Sequence, residues 1–148
     1  MAIEIERKFL VRGEFKMYSV RKLEITQGYL SVDPARIIRL RISDKKAILS
    51  VKATEKQSGF SRHEWEFEIP FSEASEILKV CLPEVILKTR YLVPFGSHTF
   101  EVDVFHGRNE GLIIAEIELK SEDEFFEKPD WLGEEVTGKP EYFNSNLI

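Results

Sequence analysis

The chain opens Met1-Ala2-Ile3-Glu4-Ile5-Glu6-Arg7-Lys8-Phe9-Leu10, and the reading of this stretch decides the fold. At the period of two expected of a strand, Glu4, Glu6 and Lys8 share one face while Ile3, Ile5 and Phe9 share the other. Alone, that would describe an edge strand with a solvated side. The same alternation, however, recurs down the chain. Arg39 and Arg41 oppose Ile38, Leu40 and Ile42; Ser50 and Lys52 oppose Leu49 and Val51; Arg62, Glu64, Glu66 and Glu68 oppose His63, Trp65, Phe67 and Ile69. Further on, Lys88 and Arg90 oppose Thr89, Tyr91 and Val93; Glu101 and Asp103 oppose Phe100, Val102 and Val104; Glu116 and Glu118 oppose Ala115, Ile117 and Leu119.

These runs, with Ile25 to Leu30, predict about eight strands, and the connecting segments predict helices over 14–23, from an N-cap at Ser72 to Leu82, after a capping box at Ser121 and Glu124, and over 140–147. Gly28 interrupts its strand, which predicts a bulge or a close backbone approach. Turns are expected at 32–34 and at 57–59. With 148 residues, no repeat and no long linker, the sequence reads as one domain, 1–148, able to bury roughly two thirds of its unfolded surface. No stretch approaches the ~20 apolar residues of a membrane span, and the opening reads as a strand rather than a leader, so a cytoplasmic location is expected. Cys81, the lone cysteine, excludes a disulfide framework and a thiolate metal site and reads as core. The net charge of -5 excludes general adsorption to nucleic acid or to anionic membrane. A homodimer is left open.

The charged faces carry seven cations, Lys8, Arg39, Arg41, Lys52, Arg62, Lys88 and Arg90, beside many carboxylates. In an open sheet or sandwich they would be the wet side. Against that, the apolar faces are rich in aromatic and branched residues that need cover, and Arg and Glu recur as i, i+2 pairs on separate strands. A closed antiparallel barrel with a polar interior and a few helices outside, an α+β architecture, satisfies both features and removes the sheet edges. Glu4, Glu6, Glu116 and Glu118 on neighbouring strands would offer hard oxygen ligands suited to Mg²⁺ or Mn²⁺, and three histidines are too few for zinc. Arg and Lys suit phosphate oxygens. No Walker loop, dinucleotide fingerprint, H-E-x-x-H or G-x-S-x-G motif competes.

These residues resemble the CYTH superfamily, the triphosphate tunnel metalloenzymes, in its short bacterial form. Glu4-Ile5-Glu6-Arg7-Lys8 is similar to the family's ExExK signature, and the likeness extends through QGYL at 27–30, RLR at 39–41, SVK at 50–52, R-x-E-x-E at 62–66, KTR at 88–90, EVDVF at 101–105, AEIEL at 115–119 and WLGEEVTG at 131–138. It departs from the family only at Ala53, where glycine is common. The resemblance implies an eight-stranded antiparallel tunnel holding a triphosphate, with the seven cations on phosphate oxygens. Glu4, Glu6, Glu116 and Glu118 would be the main metal ligands and Glu64, Glu66 and Asp103 would assist. Tyr29 is either a proton acceptor, its phenol lowered by nearby cations, or a packed aromatic; Lys8 is the alternative catalytic residue, assisting the leaving group. The implied activity is metal-assisted hydrolysis of tripolyphosphate, with thiamine triphosphate, nucleoside triphosphates or cyclisation of ATP as alternatives. A polyphosphate-binding module, or a mere interior salt-bridge network, is the non-enzymatic alternative.

Overall fold

In the computed structural model, which describes residues 2–54 and 61–148, the opening stretch is the strand β1 (Ala2–Val11). Eight more strands follow: β2 (Arg21–Ser31), β3 (Ile37–Ser43), β4 (Lys46–Thr54), β5 (Ser61–Ile69), β6 (Ile86–Phe95), β7 (His98–Phe105), β8 (Ile113–Leu119) and β9 (Leu132–Glu135). All are antiparallel, in the order β5-β4-β3-β2-β6-β7-β8-β1-β9. A further pairing of β1 with β5, from Ala2–Glu64 to Ile5–Ser61, closes eight of them into a barrel. β1 holds β8 along one edge from Ile5 to Leu10 and divides its other edge between β5 and β9.

Closure turns the charged faces inward and leaves the apolar faces outside, where they need cover. On one flank Phe9, Phe100, Ala115 and Ile117 are covered by Phe15, Phe126 and Trp131 from the segments before β2 and after β8. There the Arg7 guanidinium, bonded to both Glu135 carboxylate oxygens at 2.8 and 2.6 Å, stacks 5.1 Å from the Phe126 ring centroid. On another flank the helix α1 (Phe71–Leu78) lays Ala74, Ile77 and Leu78 on Leu40, Ala47 and Leu49. At one end of the barrel Tyr142, Leu147 and Ile148 pack against Ile37, Ile86, Phe105 and Ile114.

The predicted barrel is therefore present, with differences outside it. A 3₁₀ turn at Lys16–Tyr18 replaces the helix expected over 14–23, because Arg21 to Gln27 are drawn into the sheet by β6 and only Phe15 of the segment is buried. The capping box at Ser121 starts no helix. Its groups close a local turn instead, Glu124 Oε1 accepting from the Lys120 amide at 2.6 Å and the Ser121 hydroxyl donating to Asp123 at 2.8 Å. Helix α1 begins one residue before Ser72, after Pro70, and ends at Leu78, short of Leu82, whose amide is taken by the Tyr29 carbonyl at 2.8 Å. The tail forms two short 3₁₀ turns, Pro140–Tyr142 and Asn144–Asn146, and β9 was not foreseen. On the apolar side of β5, Ile69 packs in the cluster under α1 while Phe67 is 55% exposed. The turn expected at 57–59 lies outside the described residues. No helix among the described residues is long and apolar enough to cross a membrane.

Gly28 does mark a close approach: a Cβ there would stand 3.0 Å from Cys81 Sγ and 3.2 Å from Leu78 Cδ1. Cys81, half-buried at this contact, belongs to the packing under α1, and burial pushes its thiol up. Gly28→Val is expected to destabilise the protein by roughly 1–3 kcal/mol through overpacking, read as a lower urea midpoint at unchanged m-value.

Candidate functional site

A cavity of about 270 Å³ occupies the barrel. The strand order sorts its lining by charge. Round one arc β4, β3, β2 and β6 contribute Lys52, Arg39 and Arg41, the neutral Tyr29, then Lys88 and Arg90. Round the other, β7, β8, β1 and β5 contribute Glu101, Glu116 and Glu118, Glu4 and Glu6, Glu64 and Glu66, interspersed with Lys8 and Arg62. All seven sequence-predicted cations line the cavity.

In a closed barrel these charges can remain only if paired, since an uncompensated buried charge costs several kcal/mol. Glu4 accepts from Lys52 Nζ at 3.2 Å and from Arg62 Nε at 2.9 Å; burial pushes its carboxyl up, but the two cations outweigh burial and hold it at about 2. Lys52 also meets Glu64 at 3.0 Å. Asp103, with no exposed surface, takes a bidentate pair from Arg90 at 2.8 and 3.0 Å and Lys88 Nζ at 2.8 Å. Glu66 lies 4.0 and 3.9 Å from Arg39 and Arg41, and Arg39 donates to the Ser50 hydroxyl at 3.2 Å.

Two places remain unbalanced. Burial and the neighbouring guanidiniums Arg39 and Arg90 push Arg41 down to about 10; burial, against the pull of Asp103, leaves Lys88 at about 8. Lys52 is lowered by burial and by Arg39 and Arg62. The cation arc is thus crowded, and an anion laid along it would relieve both desolvation and mutual repulsion. On the acid arc Glu6 and Glu116 hydrogen-bond to each other: burial and the facing carboxylate push Glu6 well up, while the bond from Glu6, Lys8 and Arg90 overcome burial to hold Glu116 well down. Two facing buried carboxyls shifted in opposite directions stand where a hard dication would fit, with Glu4 and Glu118 on the same arc. As placed, no three His, Cys, Asp or Glu side chains among the described residues converge on one point.

The structure brings together Glu4, Glu6, Glu64, Glu66, Glu116 and Glu118 but sets Asp103 behind the lining, where it holds Lys88 and Arg90; Glu101, on the same face of β7, lines the cavity instead. The expectation of a lowered Tyr29 phenol is overturned. Tyr29 is 2% exposed and burial raises its phenol more than Arg39 lowers it, although its hydroxyl does face the cavity and accepts from Gln27 Nε2 at 2.9 Å. Gln27, two residues before Tyr29 and so on the same face by parity, supports that hydroxyl from beneath the lining. Asn144, from the irregular tail, accepts from Lys88 at 2.8 Å and from Gln27 at 3.2 Å, and no periodicity could have pointed to it.

Comparison with known proteins gives a consistent result. A family model described as CYTH domain matches residues 2–146. The chain is 48% identical over 149 aligned positions to an inorganic triphosphatase of Acetivibrio thermocellus, covering 100% of this chain and 94% of that one. It is 36% identical to an inorganic triphosphatase of Nitrosomonas europaea, covering 97% and 95%. The crystal structure of an inorganic triphosphatase superposes with a TM-score of 0.65 at 33% identity, covering 99% of this chain and 95% of that one.

The opposed shifts of Glu6 and Glu116 predict a pH signature in protein freed of metal by EDTA. The folded pair binds more protons than two unfolded carboxylates above their ordinary value of 4.5 and fewer below it, so its contribution is greatest near 4.5, is lost as pH rises toward the elevated value of Glu6 and is lost as pH falls toward the lowered value of Glu116. Glu6→Gln is expected to flatten the fall of Tm on the alkaline side of pH 4.5. Parallel Tm curves for the variant and the parent on that side would exclude the elevated Glu6.

Proposed function

The chain belongs to the CYTH domain family, and from that premise we propose that it is an inorganic triphosphatase, hydrolysing tripolyphosphate to pyrophosphate and phosphate with a divalent cation. The observation that carries this reading is the convergence of seven Lys and Arg side chains from five strands on one cavity that also holds glutamates on its opposite arc. A pure anion binder has no need of those glutamates. Charged and small polar groups dominate the lining, and this favours tripolyphosphate over thiamine triphosphate or a nucleoside triphosphate, whose organic part needs a pocket of its own. In this reading residues 1–148 act as one cytoplasmic unit whose partner is a small polyanion.

The residues divide the work by chemistry. Arg39, Arg41 and Arg90 would grip phosphate oxygens with planar forks, and Lys8, Lys52, Lys88 and Arg62 would add charge along the chain. Glu6, Glu116, Glu4 and Glu118 would hold Mg²⁺ or Mn²⁺, with Glu64 and Glu66 at the edge. When bound, such an ion neutralises phosphate oxygens and makes water a better nucleophile. Asp103 acts as the counter-ion that keeps Lys88 and Arg90 in place. Tyr29, its phenol raised by burial, keeps its proton at neutral pH and serves as a hydrogen-bond donor rather than as the base. Lys8 assists the leaving phosphate. Most of the rate enhancement then comes from placement and charge stabilisation.

Phosphate release from a panel of tripolyphosphate, thiamine triphosphate and ATP, with Mg²⁺ or Mn²⁺, tests the proposal. Tripolyphosphate is expected to give the highest kcat/KM, and no release from any of the three would overturn it. Glu4→Gln is expected to lower kcat by at least ~10²-fold, and Arg41→Ala and Arg90→Ala to raise KM or abolish turnover. Lys45→Ala, exposed in the β3–β4 turn, and Lys46→Ala, exposed at the start of β4, are expected to do neither; equal small effects in all of these would mean that the lining cations are ordinary surface charges. In EDTA, tripolyphosphate at a hundredfold excess over Kd is expected to stabilise the protein by about 2.7 kcal/mol, a Tm rise that sulfate at matched ionic strength does not reproduce.

A further inference from the structure

The two ends of the barrel differ. At one end Glu66 and Glu101 keep 43% and 38% of their side-chain surface exposed, and Glu118 is exposed as well. At the other, Lys8, Lys52 and Lys88 are 9%, 3% and 2% exposed, and Phe143, Asn144, Ser145 and Asn146 of the C-terminal tail line the cavity there. Lys8 Nζ donates to the Tyr142 carbonyl at 3.2 Å and lies 5.6 Å from the Phe143 ring centroid. Asn144 Oδ1 accepts from Lys88 Nζ at 2.8 Å and from Gln27 Nε2 at 3.2 Å, and Gln27 also donates to Tyr29. The tail is itself held from outside, with Asn109 Nδ2 donating to the Leu147 carbonyl at 2.8 Å and Tyr142, Leu147 and Ile148 in the apolar cluster beneath β2 and β6. Phe143 and Asn144 of the tail line the cavity beside Lys8 and Lys88, so a linear anion entering from the glutamate-rimmed end meets the tail there.

We propose that Asn144 is a positioning residue that sets the register of a polyphosphate chain in the barrel: the terminal phosphate runs up to Asn144 and no further, so the anhydride presented for cleavage lies a fixed number of phosphates from that end. The inference rests on the triphosphatase reading and deepens it. Asn144 suits the part because its carbonyl oxygen ties the row Lys88, Gln27 and Tyr29 to the tail while bringing no charge that would repel the arriving phosphate.

Tripolyphosphate cannot reveal register, since cleavage at either anhydride gives the same products. Linear tetrapolyphosphate can. Water adding across a terminal anhydride forms one new P–O bond and breaks one bridging P–O bond to give tripolyphosphate and phosphate; the same addition at the central anhydride gives two pyrophosphates, the water proton passing to solvent in each case. The experiment is anion-exchange analysis of the first products formed from tetrapolyphosphate with Mg²⁺ by the parent protein, Asn144→Ala, Asn144→Ser and Asn144→Asp, each checked for an intact thermal transition.

The parent is expected to make one product pair in at least about tenfold excess, and Asn144→Ala and Asn144→Ser to make both pairs. Asn144→Asp keeps the acceptor for Lys88 and Gln27, so it is expected to retain the parental pair while its carboxylate raises KM. A merely structural role for Asn144 would lower rates without changing the product pair. An unchanged pair in Asn144→Ala or Asn144→Ser, or a mixture from the parent, would overturn the register proposal and leave the triphosphatase reading standing. Absence of any hydrolysis by the parent, of tripolyphosphate as of tetrapolyphosphate, would overturn both.

Discussion

Four residue pairs between β1 and β5, from Ala2–Glu64 to Ile5–Ser61, make this molecule a barrel rather than a sheet. Without them the charged faces would look onto water and their Arg, Lys and Glu side chains would be ordinary surface charge. With them the polar faces become an interior, and every charge there has to be solvated by another side chain. The bidentate Arg90–Asp103 pair, the Lys52–Glu4 and Lys52–Glu64 contacts and the opposed shifts of Glu6 and Glu116 are all consequences of that closure. So is the apolar exterior, which then has to find cover in α1, in the segments around β9 and in the tail.

Sequence and structure agree best where a rule of period two applies. Apart from β2, whose inward Tyr29 is neutral, each strand of the barrel was legible because its inner residues are charged and its outer ones apolar, so alternation alone named the seven lining cations. Alternation cannot tell which of two same-face carboxylates reaches the cavity. Glu101 and Asp103 have the same parity, yet the pairing of Arg90 with Asp103 across β6 and β7 consumes the latter. The phenol of Tyr29 departs from expectation for a related reason: neighbouring cations lower it, but burial, which parity does not reveal, raises it more. Outside the barrel, helix signals at 14–23 and at Ser121 lost to tertiary demands, because the chain there has to place Phe15, Phe126 and Trp131 on the sheet and short irregular segments do so.

The cavity combines two kinds of incompleteness that call for different ligands. Along the cation arc, Arg41, Lys52 and Lys88 are depressed by burial, and Arg41 and Lys52 by one another's neighbours as well, a state that anionic oxygens would relieve. Along the acid arc, burial and the facing carboxylate raise Glu6 while Glu116 is held down, a state that a hard cation would relieve. An anion on one arc and a hard cation on the other would each improve the electrostatics of the other, so the two are expected to bind with positive cooperativity. A phosphate chain with its own divalent ion meets both needs at once.

The divided edge of β1 bears on how the chain folds during synthesis. β1 is made first, yet its partners are β5, β8 and β9, so it stays unpaired until residues 61–64 have emerged and is complete only when residues 132–135 have followed. For that interval a ten-residue strand offers both edges to any other nascent chain. The hairpins β2–β3, β3–β4, β4–β5, β6–β7 and β7–β8 can form locally in the meantime. Ring closure by the first strand is then the late, non-local event that limits the folding rate. The charges of Glu4, Glu6 and Lys8, later enclosed in the barrel, protect that waiting strand from aggregation.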